Sequence, residues 1–331
     1  MDDYTNDIIF TYEKNNKEEV RKLWEDSFND PDSFVDYYFE NIYEKNRVLS
    51  AVFKGELIGM IHLNPYKVNY MGEEYDCSYI VGVAVRSDMQ GKGVMKNMMK
   101  KVLADIKDEV PFAFLMPKKQ EYYNSLGFLP VYSTRLLDIS IVDVDEFDRD
   151  VMDNYSSLML DVVNLSQLES NEYCEIAEWM NHIMSNQYNG FCRRDGDYMN
   201  EFLQEHLCQH GDVCIVTESE VGDDGEEIYH NLVGVFAYDI YDEVMYVERF
   251  WPTQGNMVAL LSCVMKQAVD ITCDRLIVTV ADDDLEDVSH LVSGAELDIS
   301  NGNGVMVIGL LENTEQIVTN LQSNCFFDEI V

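Results

Sequence analysis

Residues 79–106 constrain the fold more than any other stretch of this chain. Tyr79–Val85 is a nearly continuous apolar run, the pattern of a strand buried on both faces. The loop Arg86–Gly91 follows. Met95, Met98, Met99, Val102, Leu103 and Ile106 then recur at i, i+3, i+4, i+7, i+8 and i+11, one face of a helix. Lys96, Lys100 and Lys107 lie off that stripe. Pro111–Met116 reads as the next strand.

The flanking segments extend the pattern. Upstream, Val20, Leu23, Trp24 and Phe28 mark one helix, and Phe34, Val35, Tyr38, Phe39 and Ile42 mark a second. Pro31 suits the start of the second helix. Arg47–Phe53 and Glu56–Val68 flank the hairpin-like turn Lys54-Gly55, and Met71-Gly72-Glu73 makes another turn. Downstream, a short helix over Lys118–Ser125 leads to Gly127-Phe128 and a strand through Ile139. The second half repeats this order. Leu57-Ile58-Gly59-Met60 has a counterpart in Leu232-Val233-Gly234-Val235. A strand (Val244–Phe250), Gly255, an apolar helix (Met257–Ile271) and a strand (Arg275–Ala281) come next. The expected fold class is α+β, with two tandem domains of one kind, residues 1–145 and 146–331. Each is a mixed, mostly antiparallel sheet flanked by helices.

Charge is unevenly placed. Residues 1–140 hold 17 Lys+Arg and 23 Asp+Glu, whereas 141–331 hold 6 and 39. Seven lysines fall between Lys92 and Lys119, against Asp105, Asp108 and Glu109. An anionic cofactor at that patch and a cationic substrate elsewhere fit this pattern, and so does a surface tuned for solubility. The net charge of −39 argues against nucleic acid as the main partner. No apolar run approaches a membrane span, and no signal peptide is apparent. The eight cysteines form no Cys-x-x-Cys pair and read as reduced, buried thiols of a cytoplasmic protein. Oligomeric state stays open, a homo-oligomer included.

The chemistry concentrates in Val83-Ala84-Val85-Arg86-Ser87-Asp88-Met89-Gln90-Gly91-Lys92-Gly93-Val94-Met95. Glycines let backbone approach a ligand closely. The unpaired first amides of a helix favour a pyrophosphate, and Lys92 and Lys96 add positive charge. This segment resembles the acetyl-CoA signature of the GNAT N-acetyltransferases, with Gln90, Gly93 and Met95 at its three positions. Met95 stands where that signature has a small residue. Glu121-Tyr122-Tyr123-Asn124-Ser125-Leu126-Gly127-Phe128 resembles the tyrosine motif of the same superfamily. The whole chain resembles the tandem-domain, enhanced-intracellular-survival branch, without its sterol-carrier-like domain.

The resemblance implies acetyl-CoA as co-substrate and no metal. It implies that Val83, Ala84, Val85, Gln90, Gly91, Lys92, Gly93, Val94 and Met95 hold the cofactor, the strand-end amides polarising the thioester. It implies Tyr123 as the general acid that protonates the leaving CoA thiolate, with Tyr122 in the core. The expected acceptor is a small-molecule or peptide amine, cationic to match the acids of the second half. No base is singled out among His62, Glu74 and Asp76, and the family's terminal carboxylate does not carry over to Val331. The counterpart loop Pro252–Asn256 lacks the full signature, which leaves acetyl-CoA binding to the first half. His206-x-Cys208-x-His210 has metal-like spacing but precedes Gly211 at a helix end, and Glu248-Arg249-Phe250-Trp251 reads as a strand end at a cleft. Two other readings remain: a non-catalytic acyl-CoA-binding module, and an aminoacyl-transferase of the cell-wall type.

Overall fold

The computed structural model describes residues 7–14, 16–141, 160–221, 227–281, 285, 297–311 and 314–327. The first half begins with an edge strand that sequence periodicity missed, β1 (Ile8–Thr11), too short to show alternation. Helix α1 (Lys17–Glu25) and helix α2 (Asp32–Tyr37) follow, the latter running on into a π-helical turn, Tyr38–Ile42. Then come β2 (Arg47–Phe53), β3 (Glu56–Tyr70), β4 (Glu73–Val85), α3 (Val94–Ile106), β5 (Phe112–Leu115), α4 (Glu121–Asn124) and β6 (Leu129–Ser140).

The second half holds β7 (Leu160–Asn164), α5 (Glu172–Gln187), β8 (Gly190–Cys192), α6 (Gly196–Leu207), β9 (Asp212–Val221) and β10 (Glu227–Tyr241). It continues through β11 (Val244–Pro252), α7 (Met257–Asp270), β12 (Arg275–Ala281), β13 (Leu297–Gly309), α8 (Thr314–Ser323) and β14 (Cys325–Phe326). No helix among the described residues is long and apolar enough to cross a membrane.

Each half is a mixed, mostly antiparallel sheet with helices on both faces. β4 runs parallel to β5 and β11 parallel to β12, each pair joined through a crossover helix, α3 or α7. Met98, Met99, Val102 and Ile106 of α3 are fully buried against one face of the first sheet. Each such side chain contributes roughly 1.5–3 kcal/mol of hydrophobic stabilisation. Trp24, Tyr38 and Phe39 cover the other face. In the second half α7 and α5–α6 take the two faces.

The two glycines that correspond in sequence, Gly59 in β3 and Gly234 in β10, meet the same kind of neighbour. A Cβ on Gly59 would stand 2.8 Å from Met98 Sδ, and one on Gly234 would stand 2.7 Å from Leu260 Cδ2. In both halves the glycine lets the crossover helix lie directly on the strand.

A boundary at 145/146 falls in residues outside the described ones. The sheet is shared across the halves. β13 inserts between β5 and β6, and β6 pairs in turn with β12. Each half therefore receives one strand from the other, and the fourteen strands among the described residues form one sheet.

Two side-chain expectations are corrected. Tyr122 is exposed, because the α4 turn directs Tyr123 inward instead. All eight cysteines are free, but Cys174 is exposed.

Candidate active site

β4 and β5 pair only at Ser78–Ala113 and Tyr79–Phe114. Beyond Tyr79 the strands separate, which leaves the β5-facing backbone of Ile80–Val85 without a strand partner there. The wedge opens into a cleft of about 740 Å³. Its first-half walls are the α1–α2 loop, Tyr79–Val83, Leu115–Lys118 and Tyr123. A bulge at Gly82–Val83, opposed by Ile61, bends β4 at the mouth. Gly82 has φ of +58°, and a Cβ there would stand 2.6 Å from the Trp24 ring.

The glycine loop closes the C-terminal end of β4. Gly91 and Gly93 have φ of +73° and +79°, a region that favours glycine, and a Cβ on either would meet nothing within 4 Å. Gly93 is the N-cap of α3, and no side chain caps the first-turn amides. Uncapped amides beside open space suit a pyrophosphate. Gln90 donates through Nε2 to the Val85 carbonyl at 3.1 Å, fastening the loop to its strand. Lys92 Nζ donates to the Asp88 carbonyl at 2.8 Å. Val94 is buried, and Val83, Val85 and Met95 pack against the α3-side core. Ala84 faces the opposite, α1–α2 side.

Tyr123 is nearly buried, with its ring 5.9 Å from that of Phe128, edge to face. Burial pushes its phenol up to about 12, so it holds its proton at neutral pH. It is therefore a protonated hydroxyl lining the cleft, and a weaker acid than a free phenol.

The opposite wall comes from the second half. Glu205 and His206 of α6, Asp239 and Tyr241 of β10, and Tyr246, Glu248 and Arg249 of β11 line it. Arg249 Nη2 donates to Glu205 Oε1 at 2.8 Å. His206 Nδ1 and Asp239 Oδ1 are 2.8 Å apart, so the histidine of the metal-like motif engages a carboxylate. Asp239 also accepts from Gln209 Nε2 at 3.4 Å. Burial raises Asp239 to about 7, against the opposing pull of Arg249. Glu205, Glu248 and Asp30 are likewise raised, burial being the first cause in each.

The bases considered from sequence lie elsewhere. His62 is fully buried, its Nδ1 2.8 Å from the Tyr38 hydroxyl. Glu74 pairs with Lys67 and Arg193 toward the far end of β4. Asp76 lines a different cavity. Sequence reading passed over Glu205 and Asp239. Asp239 had a local signal, an acid inside the apolar strand Leu232–Ile240. Of the tetrapeptide 248–251, Glu248 and Arg249 reach the cleft, whereas Phe250 and Trp251 are core.

A model of the acetyltransferase (GNAT) domain matches residues 9–131. No curated protein matches the chain in sequence. Solved structures match along most of its length. A conserved Enterococcus faecalis protein, described as a probable N-acyltransferase, is 16% identical with a TM-score of 0.66, over 92% of this chain and 73% of that one. A GCN5-related N-acetyltransferase from Kribbella flavida is 15% identical at 0.61, over 92% and 72%. Eis1 from Mycobacterium abscessus is 15% identical at 0.55, over 90% and 72%. At these identities the likeness is one of fold. The β4–β5 wedge and the glycine loop on α3 both lie within residues 9–131, the stretch that matches the GNAT acetyltransferase domain.

Proposed function

We propose that the protein transfers the acetyl group of acetyl-CoA directly to a primary amine on a cationic small molecule or peptide. The observation that carries this reading is the meeting, in one cleft, of the β4–β5 wedge, Tyr123 and a wall of acids from the second half.

The residues present fit acetyl-CoA. Gly91, Gly93 and the first amides of α3 would receive the pyrophosphate, with Lys92 and Lys96 adding charge. Val83–Val85 would lie along the pantetheine arm, and those of their amides that point away from β3 would face the thioester oxygen as charge develops on it. Tyr123 would give its proton to the departing sulfur.

The amine would enter from the α1–α2 side. Among residues lining the cleft, Asp30, Glu205, Asp239 and Glu248 oppose Lys118 and Arg249. Four carboxyls against two permanent cations favour a positively charged guest. The raised acids sharpen that preference, since an incoming ammonium offsets the burial that disfavours their charge.

Acetyl-CoA consumption against a panel of polyamines, aminoglycosides and basic peptides tests the reading. Turnover with at least one member is expected, and Tyr123→Phe should lower kcat by about 100-fold or more. CoA binding without turnover across the panel would instead select the non-catalytic module.

A further inference from the structure

β11 alternates regularly at its start, with Met245 and Val247 buried in the core and Tyr246 turned to the cleft. The alternation then breaks. In the pairing with β10, Asp239 faces Tyr246 and Ala237 faces Arg249, so Val247 and Glu248 together oppose Tyr238. This is a β-bulge, a device that re-aims a side chain. Its consequence is that Glu248 opens to the cleft while Arg249 turns inward over the Phe202 ring, 5.0 Å from its centroid.

The other acids of the cleft are held. Asp30 accepts from Trp24 Nε1, Glu205 from Arg249, and Asp239 from Gln209 while contacting His206. The Glu248 carboxyl has no hydrogen bond or ion pair with any described residue. It is ringed by protein yet in contact with the water of the cavity. From the first half, Asp30 acts on it directly, and Lys118 and Tyr123 line the same cleft. From the second half its neighbours are Asp239 and Tyr241 of β10, Tyr246 and Arg249 of its own strand, and Glu205 and His206 of α6. Burial and then Asp239 raise its carboxyl above the ordinary range, Arg249 opposing, which makes it a stronger base.

We infer that Glu248 is the general base of the acetyl transfer, supplied by the second half to a site whose acid, Tyr123, belongs to the first. The inference rests on the acetyl-transfer reading above. The substrate ammonium loses a proton to a Glu248 oxygen, directly or through one water. The freed nitrogen lone pair forms the N–C bond to the thioester carbon, and the carbonyl π pair moves to oxygen. Collapse re-forms the carbonyl and breaks the C–S bond. Sulfur takes the Tyr123 proton, and the tyrosinate recovers one from the new amide nitrogen. Glu248 returns its proton to water.

The test is steady-state kinetics of Glu248→Gln and Glu248→Asp with an amine that the wild type acetylates, alongside calorimetric CoA binding. Glu248→Gln should lower kcat by about 100-fold with little change in KM, and should remove the rise of rate with pH that deprotonation of this carboxyl gives the wild type. Glu248→Asp should recover part of the loss, and CoA affinity should hold in both. Wild-type kcat in Glu248→Gln across the pH range would overturn the inference and leave acetyl transfer standing. Loss of CoA binding together with turnover would also overturn it, since the role is then structural. Absence of wild-type turnover on every amine would remove both readings.

Discussion

The indole nitrogen of Trp24 donates to Asp30 Oδ2 at 2.7 Å, tying α1 to the loop that walls the first-half side of the cleft. The same indole lies against Gly82 at the bulge of β4. One side chain thus sets the distance between the strand that would carry the thioester and the loop that would meet the amine. Asp30→Asn keeps an oxygen to accept that bond and removes the charge. KM for a cationic amine is expected to rise about tenfold, the worth of one charged contact, with KM for acetyl-CoA unchanged. Trp24→Ala should instead destabilise the whole protein by about 3–5 kcal/mol in urea unfolding.

Gly93→Ala separates conformation from space. Nothing lies within 4 Å of a Cβ at this position, so the cost is the left-handed backbone alone, about 1–2 kcal/mol. The helix N-terminus should relax away from that conformation. Acetyl-CoA affinity measured by calorimetry should fall, and the melting temperature should drop by only a few degrees.

The internal repeat predicts an asymmetry. A Cβ on Gly234 would come 2.5 Å from the Trp251 carbonyl oxygen, a backbone atom, besides Leu260. A Cβ on Gly59 would meet chiefly the flexible end of Met98. Both alanine variants overpack, but a thioether swings aside more cheaply than a sheet. Gly234→Ala is expected near the top of the roughly 1–3 kcal/mol range and Gly59→Ala near the bottom, read from urea midpoints.

His62 links stability to pH. Burial depresses it from 6.5 to about 3, with Lys14 adding to the effect. Below 6.5 the unfolded chain takes up a proton that the folded chain refuses, so stability falls as pH drops through the window from 6.5 toward 3. The loss from this group is about 1.4 kcal/mol by pH 5.5. His62→Gln should shrink the difference between urea unfolding at pH 7.5 and pH 5.5.

What was legible in sequence follows from the range of the forces involved. The β4–loop–α3 segment is set by neighbours along the chain: a run of apolar residues, two glycines and a helical stripe. It could be read from residues 79–106 alone. The Gly59 and Gly234 correspondence was legible for the same reason, because each glycine must admit the helix that follows its own hairpin. The choice between Tyr122 and Tyr123 as the inward ring depended on the direction of a single turn, α4.

Tertiary structure alone decided the rest. The insertion of β13 between β5 and β6 pairs residues far apart in the chain, and β-pairing leaves no local mark of its partner. The acidic wall arose in the same way. Glu205, Asp239 and Glu248 come from a helix and two strands of the second half, and only the packing of that half against the α1–α2 loop brings them into the cleft with Tyr123. The sequence by itself determined the glycine loop and the uncapped start of α3, because a helix N-terminus is made by its own residues. Which carboxyl of β11 opens to the cleft was decided by a register shift between β10 and β11, whose bulge turns Glu248 outward.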